Sequence, residues 1–390
     1  MQGNVQNAIF FVRKLIVNEF CPMDANIRSK RAKHLLPLLA AAVVAGGMVL
    51  YLTPRRAAHS PPTPRQPVVP AGALSAPFRD VLSAANAPDR HQAIQRFQQW
   101  LSSLPKDQAA RAIRQILASR QDARTGQGFQ LNADGSLRQA PTLRTLLLDM
   151  LGKLDPAQAA AAAKEILQQK DSADEWAVAL ALYARVNNTD DAVSFLKQKA
   201  EEMAGYRPWQ ENPSAGYLEA FDVFVYTGDT DFVPELSRFA CNTENPALAH
   251  AAFLTLDRLA QNDPRDTLAA LNDDPALLIG RDATKGGLFA RADVRDPEQR
   301  ALLADYLLSP DRSLPELEAF AGLFPNENFM ISANLLTPCP TLSNAELLSR
   351  CQAAQQTVGQ WLQDSQFASI RPQLQQIQGR LGRILNGTGH

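Results

Sequence analysis

Two stretches of the sequence, LDMLGKLDP at residues 148–156 and LDRLAQNDP at residues 256–264, decide how the fold is interpreted. In each, a Leu-Asp-x-Leu group is followed at the same spacing by Asp-Pro. An Asp at this point can cap the free N–H groups of a helix, and Pro is tolerated in a first helical turn. Each stretch therefore predicts the end of one helix, a turn and the start of a second helix. The first of these second helices is predicted from Pro156 to Leu167.

Two looser copies of the pattern lie between these stretches. Residues 182–183 (Leu-Tyr) lead to Asp190, and residues 221–224 (Phe-Asp-Val-Phe) lead to Asp229, each with one extra residue in the spacing. The four anchors, at 148, 182, 221 and 256, are therefore 34, 39 and 35 residues apart. Another second helix is predicted from Asp190 to Met203. A helix pair of this size cannot bury its apolar face alone, so the pairs are expected to stack around a shared core.

The composition is that of a helical globular protein. Of the 390 residues, 45% are hydrophobic and 60 are alanine, the best helix former and a poor strand former. Apolar residues recur at spacings of three and four, as in Ala93, Phe97 and Leu101, which is the period of a helix with one buried face. This profile excludes a disordered chain, a collagen-like fibre and a disulfide-dense mini-protein. The predicted fold class is all-α.

Over about residues 140–275 the sequence resembles HEAT-like or tetratricopeptide-like α-helical repeat proteins. The resemblance rests on the repeat length and on the Leu-Asp-x-Leu and Asp-Pro recurrence. The tetratricopeptide signature of Trp, Gly and Tyr at set positions is absent, so HEAT-like is the preferred description. It implies stacked helix pairs in an α-solenoid. The alternative is a non-repetitive helical bundle in which the similar stretches arise by chance.

An uncharged apolar run, LLPLLAAAVVAGGMVLYL at residues 35–52, predicts a transmembrane helix. As a helix it would reach roughly 27 Å, enough to cross a bilayer. Lys and Arg are denser before this run than after it. By the positive-inside rule, the basic leader at residues 1–34 is expected in the cytoplasm and the chain after the run is expected on the other side of the membrane. Within the run, Ala42 and Gly46 form a small-xxx-small pair through which two spans can pair as a homodimer.

A cleaved signal peptide is the alternative interpretation of residues 35–52, and it also exports the remainder of the chain. The run is longer than the usual apolar core of a signal peptide, and Arg55 and Arg56 follow it where small neutral residues are expected. An uncleaved anchor is therefore preferred. A misassigned start, with Met23 as the true first residue, would explain the second apolar patch in residues 1–22.

Residues 53–77 contain seven prolines, which predicts an extended linker between the membrane and an exported domain at residues 78–390. The whole chain contains 39 Lys or Arg and 40 Asp or Glu, of which residues 1–77 contain 9 and 2. Residues 78–390 therefore contain 30 Lys or Arg and 38 Asp or Glu, a net charge of −8. Nucleic-acid binding depends on neutralising phosphates with Lys and Arg. An acidic exported domain therefore argues against nucleic acid as a partner.

Three irregular segments interrupt the predicted helices, and such insertions often lie on a binding face. Residues 121–141 are polar and Gly-rich, with an Asp134-Gly135 turn that predicts a short hairpin or a loop. Residues 205–217 and 273–298 are the other two.

The second of these segments gathers the candidate ligand-binding residues, which are Tyr206, Arg207, Trp209 and Tyr217. Aromatic side chains together with an arginine are typical of binding surfaces. The alternative, which we favour, is that Trp209 and Tyr217 simply pack the linker between helices.

Two cysteines of the exported domain, Cys339 and Cys351, lie close in sequence. In an oxidising periplasm they can form a disulfide, which would contribute about 3 kcal/mol to stability. Two buried free thiols are an equally weighted alternative.

No pattern in the sequence predicts catalysis, a cofactor or a metal site. No Cys and His cluster has zinc spacing. His250 lies in an apolar helical run, where a core or surface histidine is the expected interpretation. Paired acids such as Asp190 and Asp191 are explained as helix caps and turn formers.

The function predicted is a membrane-anchored, non-catalytic protein-binding scaffold of the bacterial cell envelope. The anchor would lie in the inner membrane, with residues 78–390 in the periplasm and an envelope protein or peptide as the partner. The alternative is an envelope enzyme, for example a hydrolase acting on wall polymers, whose acidic residues meet only in the fold.

Overall fold

A computed structural model describes residues 76–328, 334–338 and 342–387, and in these residues the chain is mostly helical. The all-α fold class is therefore confirmed. Within the described ranges, no helix is both long enough and apolar enough to cross a membrane. The leader at 1–34, the span predicted at 35–52 with Ala42 and Gly46, and Cys339 lie outside the described residues.

The first half of the described chain contains helices and one short hairpin. Their bounds are α1 (Ala76–Ser83), α2 (Ala87–Ser103), α3 (Lys106–Ala118), β1 (Gln130–Leu131), β2 (Leu137–Gln139), α4 (Leu143–Leu154), α5 (Pro156–Ile166), α6 (Ala173–Val186) and α7 (Asp190–Ala204).

The second half begins with three short helices and is otherwise built of longer ones. Their bounds are α8 (Arg207–Glu211), α9 (Ala215–Glu219), α10 (Asp222–Thr227), α11 (Val233–Ala240), α12 (Pro246–Asn262), α13 (Pro264–Asp273), α14 (Asp282–Phe289), α15 (Pro297–Leu308), α16 (Leu314–Leu323), α17 (Asn344–Gln363) and α18 (Arg371–Gly387). Short 3₁₀-helices at Thr230–Phe232 and Ser365–Ile370 lead into α11 and α18.

Helices begin at Pro156, Asp190 and Pro264 as predicted, but Asp263 forms no side-chain cap at the start of the third. The Asp155 side chain accepts a hydrogen bond from the Gln158 amide, and α5 begins at Pro156. Thr189 does the same for the Ala192 amide at the start of α7. Each cap pairs an N–H group that the first helical turn leaves without a partner. The predicted ends of these two helices are each within one residue of the observed ends.

The first described helix, α1, covers the last two residues of the linker predicted over residues 53–77. Pro77 lies in its first turn, where the missing N–H group of proline leaves no hydrogen bond unmade.

Several helices contact both the next helix and the helix after next. For example, α4 contacts α5 and α6, and α12 contacts α13 and α14. On the other side of these pairs α11 contacts α13, and α13 contacts α15. The leucines of the two repeated stretches, Leu148, Leu151, Leu256 and Leu259, are fully buried in the core that these contacts enclose.

The segment at residues 121–141 forms the predicted hairpin, in which β1 and β2 pair antiparallel. Gly135 in its turn has φ of +72°, a left-handed conformation that favours glycine. A side chain at this position would also overlap the carbonyl oxygen of Leu335, so the turn packs directly against a distant part of the chain.

A second close approach joins α14 and α16, and it gives a test of the packing. A Cβ at Gly286 would overlap the carbonyl oxygen of Glu316, whereas a Cβ at Gly322 would meet nothing within 4 Å. We expect Gly286→Ala to lower the free energy of unfolding by about 1–3 kcal/mol, because the helices must separate. Gly322→Ala, the matched control, should raise it by about 0.5–1 kcal/mol through helix propensity. Urea unfolding followed by circular dichroism measures both, and equal effects would contradict the packing.

Candidate functional site

Five residues, Asn334 to Pro338 with the sequence NLLTP, form a non-helical segment that contacts three different helices. We call it the NLLTP segment. Leu335 is only 1% exposed and belongs to the hydrophobic core. A buried segment without helical or sheet hydrogen bonds needs other partners for its main-chain N–H and C=O groups. Side chains of α6, α10 and α12 provide them.

Asp222, at the start of α10, accepts two main-chain hydrogen bonds from this segment. The Leu336 amide lies 2.7 Å and the Thr337 amide 2.8 Å from Asp222 Oδ2. The Thr337 hydroxyl donates to Asp222 Oδ1. Burial raises the pKa of Asp222 above its ordinary value, and the hydrogen bonds from Thr337 and Leu336 oppose this rise. The carboxylate is thus held in the core by three donors from one segment.

Two arginines bind the same segment through its oxygens. The buried Arg258 guanidinium, on α12, donates to the Thr337 hydroxyl at 2.7 Å and to the Pro338 carbonyl at 3.0 Å. Arg185, near the end of α6, lies 3.4 Å from both the Leu335 carbonyl and the Asp134 carbonyl. Arg185 therefore links the hairpin turn to the NLLTP segment.

The aspartates of the two repeated stretches lie in a similar environment. Asp149 on α4 accepts from the Leu137 amide of the hairpin at 3.2 Å and pairs with Lys153 at 2.7 Å. Asp257 on α12 forms a buried ion pair with Arg291 at 2.8 Å, and Arg291 also donates to the Asn326 carbonyl. Asp149 thus binds the main chain of a non-helical segment directly, and Asp257 does so through its partner Arg291.

An open cleft of about 340 Å³ lies beside the NLLTP segment, between α9 and α10 on one side and α12 on the other. Much of its lining is apolar and includes Leu218, Val225 and Leu254. Glu219 and His250 are polar groups of the cleft that do not bind the NLLTP segment. His250 is exposed, in agreement with its interpretation as a surface histidine.

Glu219 is the unusual acid of this cleft. Burial, together with the nearby carboxylate of Asp222, raises the pKa of Glu219 to about 7. Within the described part of the chain, its carboxylate has no hydrogen bond or ion pair, whereas the other cleft acids, Asp222 and Asp257, each have several donors. Sequence reasoning missed Glu219, since an isolated Glu at the end of a short helix carries no local signal.

The candidate residues of segment 205–217 lie elsewhere and pack mostly against one another. Trp209 is half-buried, with its ring 5.0 Å from that of Tyr206 and 5.5 Å from that of Trp176. Tyr217 is fully buried and donates to the Ala204 carbonyl. Of the four, Arg207 alone is exposed, and it pairs with Glu211. The aromatic members thus pack the linker between helices, as the favoured alternative predicted.

The remaining predicted site is the disulfide. Cys351 lies on α17, half-buried, and burial raises the pKa of its thiol. Its predicted partner, Cys339, is outside the described residues, so the pairing stays a prediction.

Within the ranges that the structure describes, no group of three or more His, Cys, Asp or Glu side chains is placed to hold a metal ion. Comparisons of the chain with protein-family models, with curated proteins and with solved structures found no match. The Asp222 contacts and the cleft are therefore interpreted from their own geometry.

Removing the Asp222 carboxylate tests its role. Asp222→Ala leaves the buried amides of Leu336 and Thr337 without an acceptor, so we expect the free energy of unfolding to fall by about 2–4 kcal/mol. Thr337→Val should cost less, because it removes one of the three donors. In a double-mutant cycle measured by urea unfolding, the two losses should couple by about 1 kcal/mol or more. Additive losses, or an equal loss in the exposed control Asp231→Ala, would show that the contact is not what holds the segment.

The environment of Glu219 predicts how stability depends on pH. Its pKa rises from 4.5 to about 7 on folding, so its contribution to stability is fully present below pH 4.5 and is lost as the pH rises through 7. Glu219→Gln resembles the protonated side chain and escapes this loss. We expect it to be more stable than the wild type by about 1–2 kcal/mol at pH 8 and equally stable at pH 4.5. Glu211→Gln, which changes an exposed acid and keeps Glu219, should differ from the wild type by the same amount at pH 4.5 and pH 8 in thermal unfolding.

Proposed function

We propose that the protein is a non-catalytic protein-binding scaffold of the bacterial cell envelope. In this proposal residues 35–52 anchor it in the inner membrane, and residues 78–390 face the periplasm and bind an envelope protein or peptide. One observation carries the proposal: charged side chains of α6, α10 and α12 bind the main chain of the non-helical NLLTP segment. A surface that binds polypeptide main chain within its own chain has the chemistry needed to bind a partner's main chain.

We further propose that the helices form a HEAT-like array of stacked pairs. The contacts of α4 with α5 and α6, and of α12 with α13 and α14, support this arrangement. So do the helices that begin at Pro156 and Asp190, where the repeat pattern predicted them. Stacked helical repeats expose extended surfaces, and proteins of this class use such surfaces to bind other proteins.

An envelope hydrolase is the second candidate, and Glu219 is the observation that favours it. A carboxyl group with a pKa near 7, close to a second carboxylate, is suited to general acid catalysis. The second carboxylate belongs to Asp222, however, and its oxygens already accept hydrogen bonds from Leu336 and Thr337. A base or nucleophile needs free lone pairs, so this geometry favours binding over hydrolysis.

Photo-cross-linking in living cells tests the scaffold. A photo-activated residue in place of His250, which is exposed in the cleft, is expected to capture a specific envelope polypeptide. The same residue in place of His91, exposed on α2, is the matched control and is expected to capture little.

The proposed membrane topology is tested separately. In spheroplasts, added protease should digest residues 78–390 and leave a tag on residues 1–34 intact.

Two results would contradict this proposal. One is equal capture at His250 and His91. The other is no capture at His250 together with hydrolysis of purified wall polymer by the protein, lost in Glu219→Gln. The second result would establish the enzyme instead.

A further inference from the structure

We propose that the cleft between α9, α10 and α12 binds a lysine or arginine side chain of the partner polypeptide, through an ion pair with Glu219. The inference rests on the proposed protein-binding function and specifies which chemistry the cleft selects. It follows from the shape of the cleft, from an acid, Glu219, that has no partner among the described residues, and from the charge of the domain.

The cleft suits a long side chain with a charged end. Its apolar lining, which includes Leu218, Val225 and Leu254, can cover the methylene groups of a lysine or arginine. These residues commonly bury their stems along apolar surface and keep the charged group in a polar environment. Glu219 lies on the same lining and is itself half-buried. An ion pair at this point would therefore be partly shielded from water, where it is stronger than at an exposed site.

The other charged groups of the cleft are already engaged. Asp222 accepts three hydrogen bonds from the NLLTP segment, and Asp257 is paired with Arg291. Arg258 donates to Thr337 and Pro338. An incoming cation thus finds its acceptor at Glu219, whereas an incoming anion meets a buried Arg258 guanidinium, which already donates to the NLLTP segment, and the exposed imidazole of His250.

The wider charge distribution agrees with a basic ligand. Residues 78–390 carry 30 Lys or Arg against 38 Asp or Glu, so their field attracts cations. The Asp222 carboxylate beside Glu219 adds to the negative potential inside the cleft.

A polypeptide, rather than a free amine, is the occupant that the surroundings favour. Asn334, the first residue of the NLLTP segment, lines the cleft, so a ligand there would lie beside a chain segment that this surface already binds. Main-chain contacts on such a surface give affinity, and a pocket for one side chain gives specificity.

The experiment uses the full-length protein in lipid nanodiscs and four labelled peptides of sequence Ala-Leu-Xaa-Leu-Ala. Xaa is lysine, arginine, uncharged norleucine or glutamate, and binding is followed by fluorescence anisotropy. We expect the lysine and arginine peptides to bind the wild type at least about 10-fold more tightly than norleucine, since an ion pair of this kind is worth about 1.4 kcal/mol or more. The glutamate peptide should bind most weakly.

The variants test whether Glu219 is responsible. Glu219→Gln should remove the preference for lysine over norleucine while leaving norleucine binding within about 2-fold. Glu219→Asp, which keeps the carboxylate, should retain part of the preference. Glu211→Gln, an exposed acid outside the cleft, is the control and should retain all of it. Circular dichroism of each variant verifies that it is folded.

Equal binding of the lysine and norleucine peptides, no saturable binding of the lysine peptide, or a preference that survives in Glu219→Gln would overturn the inference. If one of these results is accompanied by specific cross-linking at His250, the proposed protein-binding function is still supported, and only the proposed selectivity for a basic side chain is rejected. Failure of both experiments would reject the function as well.

Discussion

The hydrogen bonding of Asp222 is the interaction on which the middle of the molecule depends. A non-helical segment can cross the buried surface of packed helices only if its main-chain polar groups find partners, since each unpaired group costs about 1–3 kcal/mol. Asp222 accepts the amides of Leu336 and Thr337, and Arg258 pairs the Pro338 carbonyl. With those groups paired, Leu335 can lie in the core, and the hairpin turn at Gly135 can pack against it. Asn334 of the same segment then forms part of the wall of the cleft.

The helices could be predicted because their signals are local. Capping by Asp155 and Thr189 depends on residues three positions away. The apolar residues that define the helical period are likewise only three or four positions apart. The hairpin was predictable for the same reason, since Asp134-Gly135 specifies its own turn. By contrast, α8 and α9 lie where residues 205–217 read as an irregular segment, because tertiary packing around Trp209 and Tyr217 holds pieces too short to be stable as isolated helices.

The candidate site could not be predicted, because its contacts join distant parts of the chain. The repeated Leu-Asp-x-Leu stretches marked Asp149 and Asp257 as part of a pattern, but the spacing does not reveal that Asp149 accepts an amide of the hairpin or that Asp257 pairs with Arg291. A clue was present: an aspartate among buried leucines has to be paired or protonated. Glu219 offered no comparable clue: Asp222 lies only three residues away, but the burial that chiefly raises the pKa of Glu219 exists only in the folded chain.

The separation of Asp222 from Thr337, 115 residues along the chain, has a consequence for biogenesis. The nascent polypeptide exposes the helices around Asp222 long before the residues that pair with it have been synthesised. Contacts of such sequence separation form late and slowly, since the intervening loop must first be closed. Until residues 334–338 have been synthesised, Asp222 and Arg258 lack the partners that they bind in the folded chain, so this part of the structure is completed only after most of the domain has been made.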